Sequence, residues 1–516
     1  MEFFLLILLA IVLFSVYWYI RHKRSTSPPS SHPNSGQVIV MVVDSLMDQP
    51  LRKAVKEDHV PALKFFMDKG HYFPEVVSAY PTMSMTIDTT LLTGTYPDEH
   101  SIPGLVWYDE KNHHLISYGS ARKEIMMLGV RNVLESAIYD LNNKHISSKV
   151  STIHEDLSQM NHKSASINAL VYRGSETKQL RSPKYITLFN FLPPVIKTKG
   201  TSFFSYGALA RMNPYNRYKH VWQFSGFNDK FSVAELLYLI KNNTLPKFTI
   251  AYLPSNDKKV HKKGPMTTAG IKKFDLELQK VLNAYQSWDE ALQNNTWVIM
   301  GDSGQAPIGK QKDNLIHLPS LLSTYKIPKL STYVETDAQI VLALNERMAY
   351  VYVLDKNIQL SSVADQLKTD ERIGFAAWRD GEDIKAVCSE REESLTFRRG
   401  GKYKDKYGQA WDWHGVPEVL DVTVEDKHIE FGKYPDAFAR LTGSLYSHKG
   451  RFIIVDANPG FEFAVEGSPT HKGGASHGSL HEQDSLIPMI VTGTDSLPES
   501  MRIVDLKKWF MQLLNE

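Results

Sequence analysis

The residues with the clearest capacity for chemistry are three aspartates, two histidines and a hydroxyl-rich turn. Asp44 follows the apolar run 37–43 (QVIVMVV), Asp257 follows 248–253 (FTIAYL), and Asp302 follows 297–300 (WVIM). Each run reads as a buried strand, so each carboxylate falls just beyond a strand's carboxyl end. His261 comes four residues after Asp257 and ahead of Gly264-Pro265. His477 lies in a glycine-rich loop, near His471 and His481. Imidazole and carboxylate together suit Zn2+ or Mn2+. Two such ions about 4 Å apart activate a nucleophile and clamp a phosphoryl group in line. The hydroxyl turn is Pro81-Thr82-Met83-Ser84-Met85-Thr86. Pro81 should break the preceding strand, and the hydroxyls after it are placed to open a helix that ends at Gly94. An oxygen nucleophile there has helix N–H groups nearby to stabilise an anionic substrate. Taken alone, the turn reads as an ordinary helix cap, and a lone loop aspartate as a turn former.

Positioning such groups together needs a particular scaffold. Apolar strand-like runs alternate with helical periodicity over most of the chain. Helices are expected at 48–69 (split by Pro61), 124–141, 151–159, 232–242, 265–293 and 437–442, the last stopped by Gly443. Further strands are expected at 163–171, 451–455 and 486–491. The pattern predicts an α/β fold with a mostly parallel central sheet and helices on both faces. Ligands bind such sheets beyond the strand carboxyl ends, where the three aspartates fall. From about 337 to 423 the texture shifts to short strand-like runs with one helix, at 361–368. This predicts a small inserted α+β cap, with the core divided into 37–336 and 424–516.

The 516 residues carry a net charge of +2, which leaves no nucleic-acid footprint. Cys388 is the one cysteine, so an intramolecular disulfide and a thiolate zinc cluster are excluded. Residues 3–20 are apolar or aromatic except for Ser15. As a helix they span roughly 27 Å, about a bilayer core. Tyr17-Trp18-Tyr19 and Arg21-His22-Lys23-Arg24 close the segment as an interfacial belt and a basic flank. Residues 1–24 are therefore expected to be a single-pass transmembrane anchor in the cell membrane, and the Ser/Pro-rich stretch 25–36 a flexible linker. Basic residues after the span favour a cytoplasmic catalytic domain.

Taken in order, the motifs resemble the alkaline phosphatase superfamily on its nucleotide pyrophosphatase/phosphodiesterase side. The arrangement is also similar to that of phosphonoacetate hydrolase and cofactor-independent phosphoglycerate mutase. The resemblance is carried by Asp44, by Ser84 within PTMS, by Thr93-Gly94-Thr95-Tyr96-Pro97, by Asp257 and His261 with Gly264-Pro265, by Asp302 and by His477-Gly478. It spans about 37–304 and 435–491. It implies two divalent metal ions, Zn2+ or alternatively Mn2+. Asp257, His261 and His477 would bind one; Asp44, Asp302 and the Ser84 oxygen would bind the other. It further implies that Ser84 attacks phosphorus and forms a covalent intermediate that water then hydrolyses. Thr82, Thr86 and Arg173 are candidate substrate contacts. Relatives on the phosphodiesterase side work outside the cell, against the charge rule.

Two positions depart from the family. Its Asp-His-Gly is Asp302-Ser303-Gly304 here, which removes an imidazole from the second metal unless Ser303 or a water substitutes. An Asn and a His that follow the nucleophile in the family are Ile87 and Asp88. The expected function is a membrane-anchored, metal-dependent hydrolase of small phosphoric esters, whether phosphodiesterase, nucleotide pyrophosphatase or phosphatase. The alternative is a catalytically impaired member serving as an anchored binding or scaffold protein.

Overall fold

A computed structural model describes residues 36–515. The anchor expected over 1–24, and the linker up to residue 35, lie outside the described residues. Among the described residues no helix is long and apolar enough to cross a membrane.

A seven-stranded sheet forms the centre. Its spatial order is His71–Val77, Leu486–Thr492, Asn295–Met300, Gln37–Val43, Phe248–Leu253, Ser164–Ile167 and Phe203–Ser205. Leu486–Thr492 pairs antiparallel with both its neighbours, and the remaining pairings are parallel. Six strands thus run one way and one against them, a mostly parallel sheet. Alternation along Gln37–Val43 divides its side chains between two layers. Val38, Val40 and Val42 join the cluster that holds Ile87, Leu91, Leu157, Trp509 and Phe510. Ile39, Met41 and Val43 join Leu51, Leu63, Leu236, Phe274 and Leu278. Helices therefore cover both faces, and every side chain of the strand beyond Gln37 is buried, which is why the run is continuously apolar.

Beside this core stands a larger second sheet than expected. It has nine strands: Ile340–Asn345, Met348–Val353, Phe452–Ala457, Ile373–Asp380, Asp383–Val387, Leu395–Asp405, His428–Phe431 and Val422–Glu425 in order, with Ala410–Gly415 also paired to Leu395–Asp405. All but one of its pairings are antiparallel. The boundary at 423 cuts this sheet, and the strand expected at 451–455 belongs to it rather than to the core. A short run buried on both faces, such as FIIV, carries no mark of which sheet it joins. Helix Leu360–Leu367 packs on one face, and helix Ala437–Leu445 on the other.

Three helix expectations need amending. The stretch 124–141 forms Arg122–Met127, Val130–Glu135 and the start of a π-helix, Ser136–His145. The stretch 265–293 is broken into Ala269–Leu282 and Trp288–Asn294, with Ser287 capping the second through Glu290 N. Gly443 does not end its helix, which continues to Leu445. A Cβ at 443 would lie 2.9 Å from Tyr96 Cβ, so this glycine serves close packing instead of a stop.

Candidate active site

Ser84 opens helix Ser84–Thr93, and Gly94 closes it in the left-handed conformation (φ 68). No side chain caps the helix at Met83. The Ser84 hydroxyl faces the strand ends instead, with its Oγ 3.2 Å from Asp302 Oδ2. Asp302 Oδ1 accepts from the backbone N–H of Ser45 (2.9 Å) and of Ser303 (2.7 Å), which fixes the carboxylate's orientation. Tyr252, in register with Val42 on the neighbouring strand, completes the group. Its hydroxyl donates to Asp44 Oδ2 (2.7 Å) and lies 3.1 Å from Asp302 Oδ2 and 3.3 Å from Ser84 Oγ. Burial, then the neighbouring carboxylates, hold Asp44 well above the usual carboxylate range, and burial raises Asp302. A cation placed among them would relieve that repulsion.

One turn of helix separates the next two ligand candidates. Asp257 and His261 lie on Asp257–Lys263, with His261 Nε2 3.0 Å from Asp257 Oδ1. His261 Nδ1 donates to the carbonyl of Ala475 (2.8 Å), and His477 Nδ1 to the carbonyl of Thr82 (2.5 Å). A carbonyl only accepts, so both rings carry a proton on Nδ1 and turn Nε2 toward the carboxylates. His477 Nε2 is 4.0 Å from Asp257 Oδ1. The ligand atoms of Asp257, His261 and His477 lie within 4.8 Å of one another, and with Nε2 of both rings turned to the carboxylate they fit one divalent ion. Asp257 Oδ1 also accepts from Gln305 Nε2 (2.7 Å) and Ser45 Oγ (3.1 Å).

Asp44, Asp302 and Ser84 offer the other position two carboxylates and a hydroxyl. Ser303 brings no imidazole, and its Oγ is buried without a hydrogen-bond partner. An all-oxygen set suits a harder ion and holds zinc less firmly than one with imidazole.

The three candidate substrate contacts have other duties. Thr82 is fully buried; its Oγ1 accepts from Gly478 N (2.7 Å) and its carbonyl orients His477. Thr86 is equally buried and donates to the Ile102 carbonyl (3.3 Å). Arg173 bonds to Glu155 Oε2 (3.1 Å) and to the carbonyls of Ile146 (3.1 Å), Ser147 (3.0 Å) and Val150. Its guanidinium pins the 146–150 loop, so no fork remains for phosphate. Asp88 is buried, and burial with Asp302 nearby pushes its carboxyl up to about 8. His481 accepts from Gln483 N at the start of a short helix and is not among the clustered ligand groups.

Sequence reasoning missed Tyr252, Gln305 and Glu346. Tyr252 had a signal, as the one polar tip near the end of an apolar strand. Gln305 follows the Asp302-Ser303-Gly304 turn closely. Glu346, whose Oε2 is 4.0 Å from His477 Nε2, had none, because it comes from the second sheet.

Comparison with known proteins gives the chain a family and a fold. Residues 38–479 match the family model for type I phosphodiesterase / nucleotide pyrophosphatase. No curated protein matches the chain. Among solved structures, human ectonucleotide pyrophosphatase / phosphodiesterase 5 is similar with a TM-score of 0.54 and 15% identity, over 93% of this chain and 95% of that one. The murine protein is similar with a TM-score of 0.53 and 15% identity, over the same shares. Phosphonoacetate hydrolase from Sinorhizobium meliloti 1021, in complex with phosphonoformate, is similar with a TM-score of 0.54 and 14% identity, over 94% and 96%. At such identities the structures speak for the fold alone, while the family model spans most of the sequence. The chain belongs to the type I phosphodiesterase / nucleotide pyrophosphatase family.

Proposed function

We propose that this chain hydrolyses small phosphoric esters with Ser84 as nucleophile. The observation that carries the reading is the convergence of Ser84 Oγ with Asp302 and Tyr252 at the strand ends. Asp44, bonded to Tyr252, and the Asp257–His261–His477 group stand at the same sheet edge. Divalent cations at these carboxylates and imidazoles would supply Lewis acidity for the phosphoryl oxygens and lower the pKa of the attacking hydroxyl.

The chain's own groups supply the rest. Asp302 Oδ2 is placed to take up the Ser84 proton and return it to the departing ester oxygen, and Tyr252 donates to Asp44 and holds that carboxylate beside Ser84. Ser84 Oγ bonds to phosphorus as the ester oxygen departs, leaving a phosphoseryl group. Water then attacks that group, releases phosphate or a phosphomonoester and restores the serine hydroxyl. Unpaired N–H groups in the first turn of Ser84–Thr93 face developing negative charge. Residues 3–20 would tether the enzyme to a membrane as a single span.

Ser84→Ala tests the reading. With nitrophenyl phosphoesters as substrates and metal supplied, turnover should fall at least about a thousandfold while metal content holds within twofold. Equal turnover in the variant and the wild type would refute a serine nucleophile.

A further inference from the structure

We propose that Glu346 is a fourth protein ligand of the cation held by Asp257, His261 and His477, so that the antiparallel sheet completes the metal centre. The inference rests on the metal-dependent reading above and adds a ligand from outside the central sheet. Glu346 occupies the two-residue turn joining Ile340–Asn345 to Met348–Val353. Its φ of 60 places a non-glycine residue in the left-handed region, a conformation that surrounding contacts must hold. Those contacts are present. Its carbonyl accepts from Phe463 N (2.9 Å), and the next residue, Arg347, donates its N–H to His477 O (2.9 Å).

The side chain is then directed at imidazoles. Glu346 Oε2 lies 4.0 Å from His477 Nε2 and 3.8 Å from His471 Nδ1, and His261 offers a ligand atom within 4.8 Å. Ser476 Oγ donates to it (2.6 Å). The adjacent guanidinium, Arg347, is directed to Asp484 instead. A buried carboxylate needs compensating charge. His261 and His477 turn Nδ1 to backbone carbonyls, so the Nε2 atoms of both rings face the carboxylates. A divalent cation seated among these Nε2 atoms and carboxylates would supply that charge by coordination. His471 acts as a buttress: its Nδ1 lies 2.9 Å from Glu462 Oε2, and its ring stacks on His261 with centroids 4.1 Å apart.

Backbone packing shows that the site is built. A Cβ at Gly474 would fall 1.9 Å from the His261 carbonyl oxygen, so only glycine lets the 471–477 loop press against that helix. The resulting set is two imidazoles and two carboxylates. It offsets both charges of a divalent ion and broadens the preference from zinc toward Mn2+.

The test is a Co2+ titration of the full chain after chelator treatment, followed by visible absorption. Glu346→Gln keeps the volume and removes the charge. We expect Co2+ affinity at this centre to fall at least about tenfold and the absorption bands to change in intensity. An unchanged affinity and spectrum would overturn the proposal. Should the variant not fold, a crystal structure of the wild-type chain with Co2+ decides. A Glu346 oxygen about 2.2 Å from the ion supports the ligand, and one beyond about 3 Å refutes it. Ester hydrolysis measured on the same samples separates the two readings. Glu346-dependent binding without hydrolysis sinks only the catalytic function, and hydrolysis with Glu346-independent binding sinks only the ligand.

Discussion

At the scale of single residues, Ser303 has the largest consequence for its size. Its hydroxyl is buried and unpartnered beside Asp302, where the family places an imidazole. Burial disfavours the ionised forms of the neighbouring Asp44, Asp302 and Tyr252, and the Asp302 charge adds to the effect at Asp44 and Tyr252. The second position therefore has the charge to attract a cation and lacks the nitrogen that would retain zinc. Ser303→His restores it. After dialysis against limiting zinc, the variant should retain about one more ion per chain than the wild type, with higher esterase turnover. Equal metal content in a folded variant would show that the position is limited by something other than the imidazole. Thr82 and Arg173 teach the complementary lesson: polar residues near a motif served to orient His477 and to pin a loop.

At the scale of elements, the centre depends on contacts that no single motif contains. The loop bearing His471 and His477 meets helix Asp257–Lys263 through Gly474, with no room for a side chain between them. Gly474→Ala should separate the loop from the helix and lower metal retention at least about tenfold, with a smaller fall in unfolding midpoint. Metal content after dialysis and a thermal melt measure the two effects; unchanged metal retention would mean that the loop tolerates the displacement. Such contacts also explain what was legible in the sequence. Asp44, Ser84, Asp257 and Asp302 could be read because strand ends and a proline-led turn leave local signatures. The helix pair Asp48–Lys56 and Pro61–Lys69, split at Pro61 and ended by Gly70, is read from the same kind of signal. Glu346 could not be read, since a polar residue in a two-residue hairpin turn is the ordinary case. Phe452–Ala457 was assigned to the wrong sheet because burial on both faces erases the alternation that would identify its partners.

At the scale of the whole molecule, three buried neutral histidines should set its response to acid. His100 lies in a short helix, His154 in a helix over the central sheet, and His448 against the second sheet. Burial lowers each to about 3. Unfolded, each would titrate near its ordinary value of about 6.5. Below that value the unfolded chain binds more protons than the folded one, so stability falls as pH drops. The contribution is complete above about pH 6.5 and is lost progressively toward about pH 3. Buried carboxyls pushed upward, such as Asp229 to about 6 and Asp456 to about 7, act with the opposite sign over part of this range. A difference between variants therefore isolates the histidine effect better than the wild-type profile does. His154 suits the purpose, because its Nε2 has no partner and its ring meets Phe248 edge-on with centroids 5.8 Å apart. Phe fills a similar volume and cannot take a proton, at the cost of one bond to Ser164 Oγ. Relative to wild type, His154→Phe should gain about 2 kcal/mol between pH 7 and pH 5. Denaturant unfolding at the two pH values measures that gain, and parallel pH profiles would show that His154 is not held neutral in the fold.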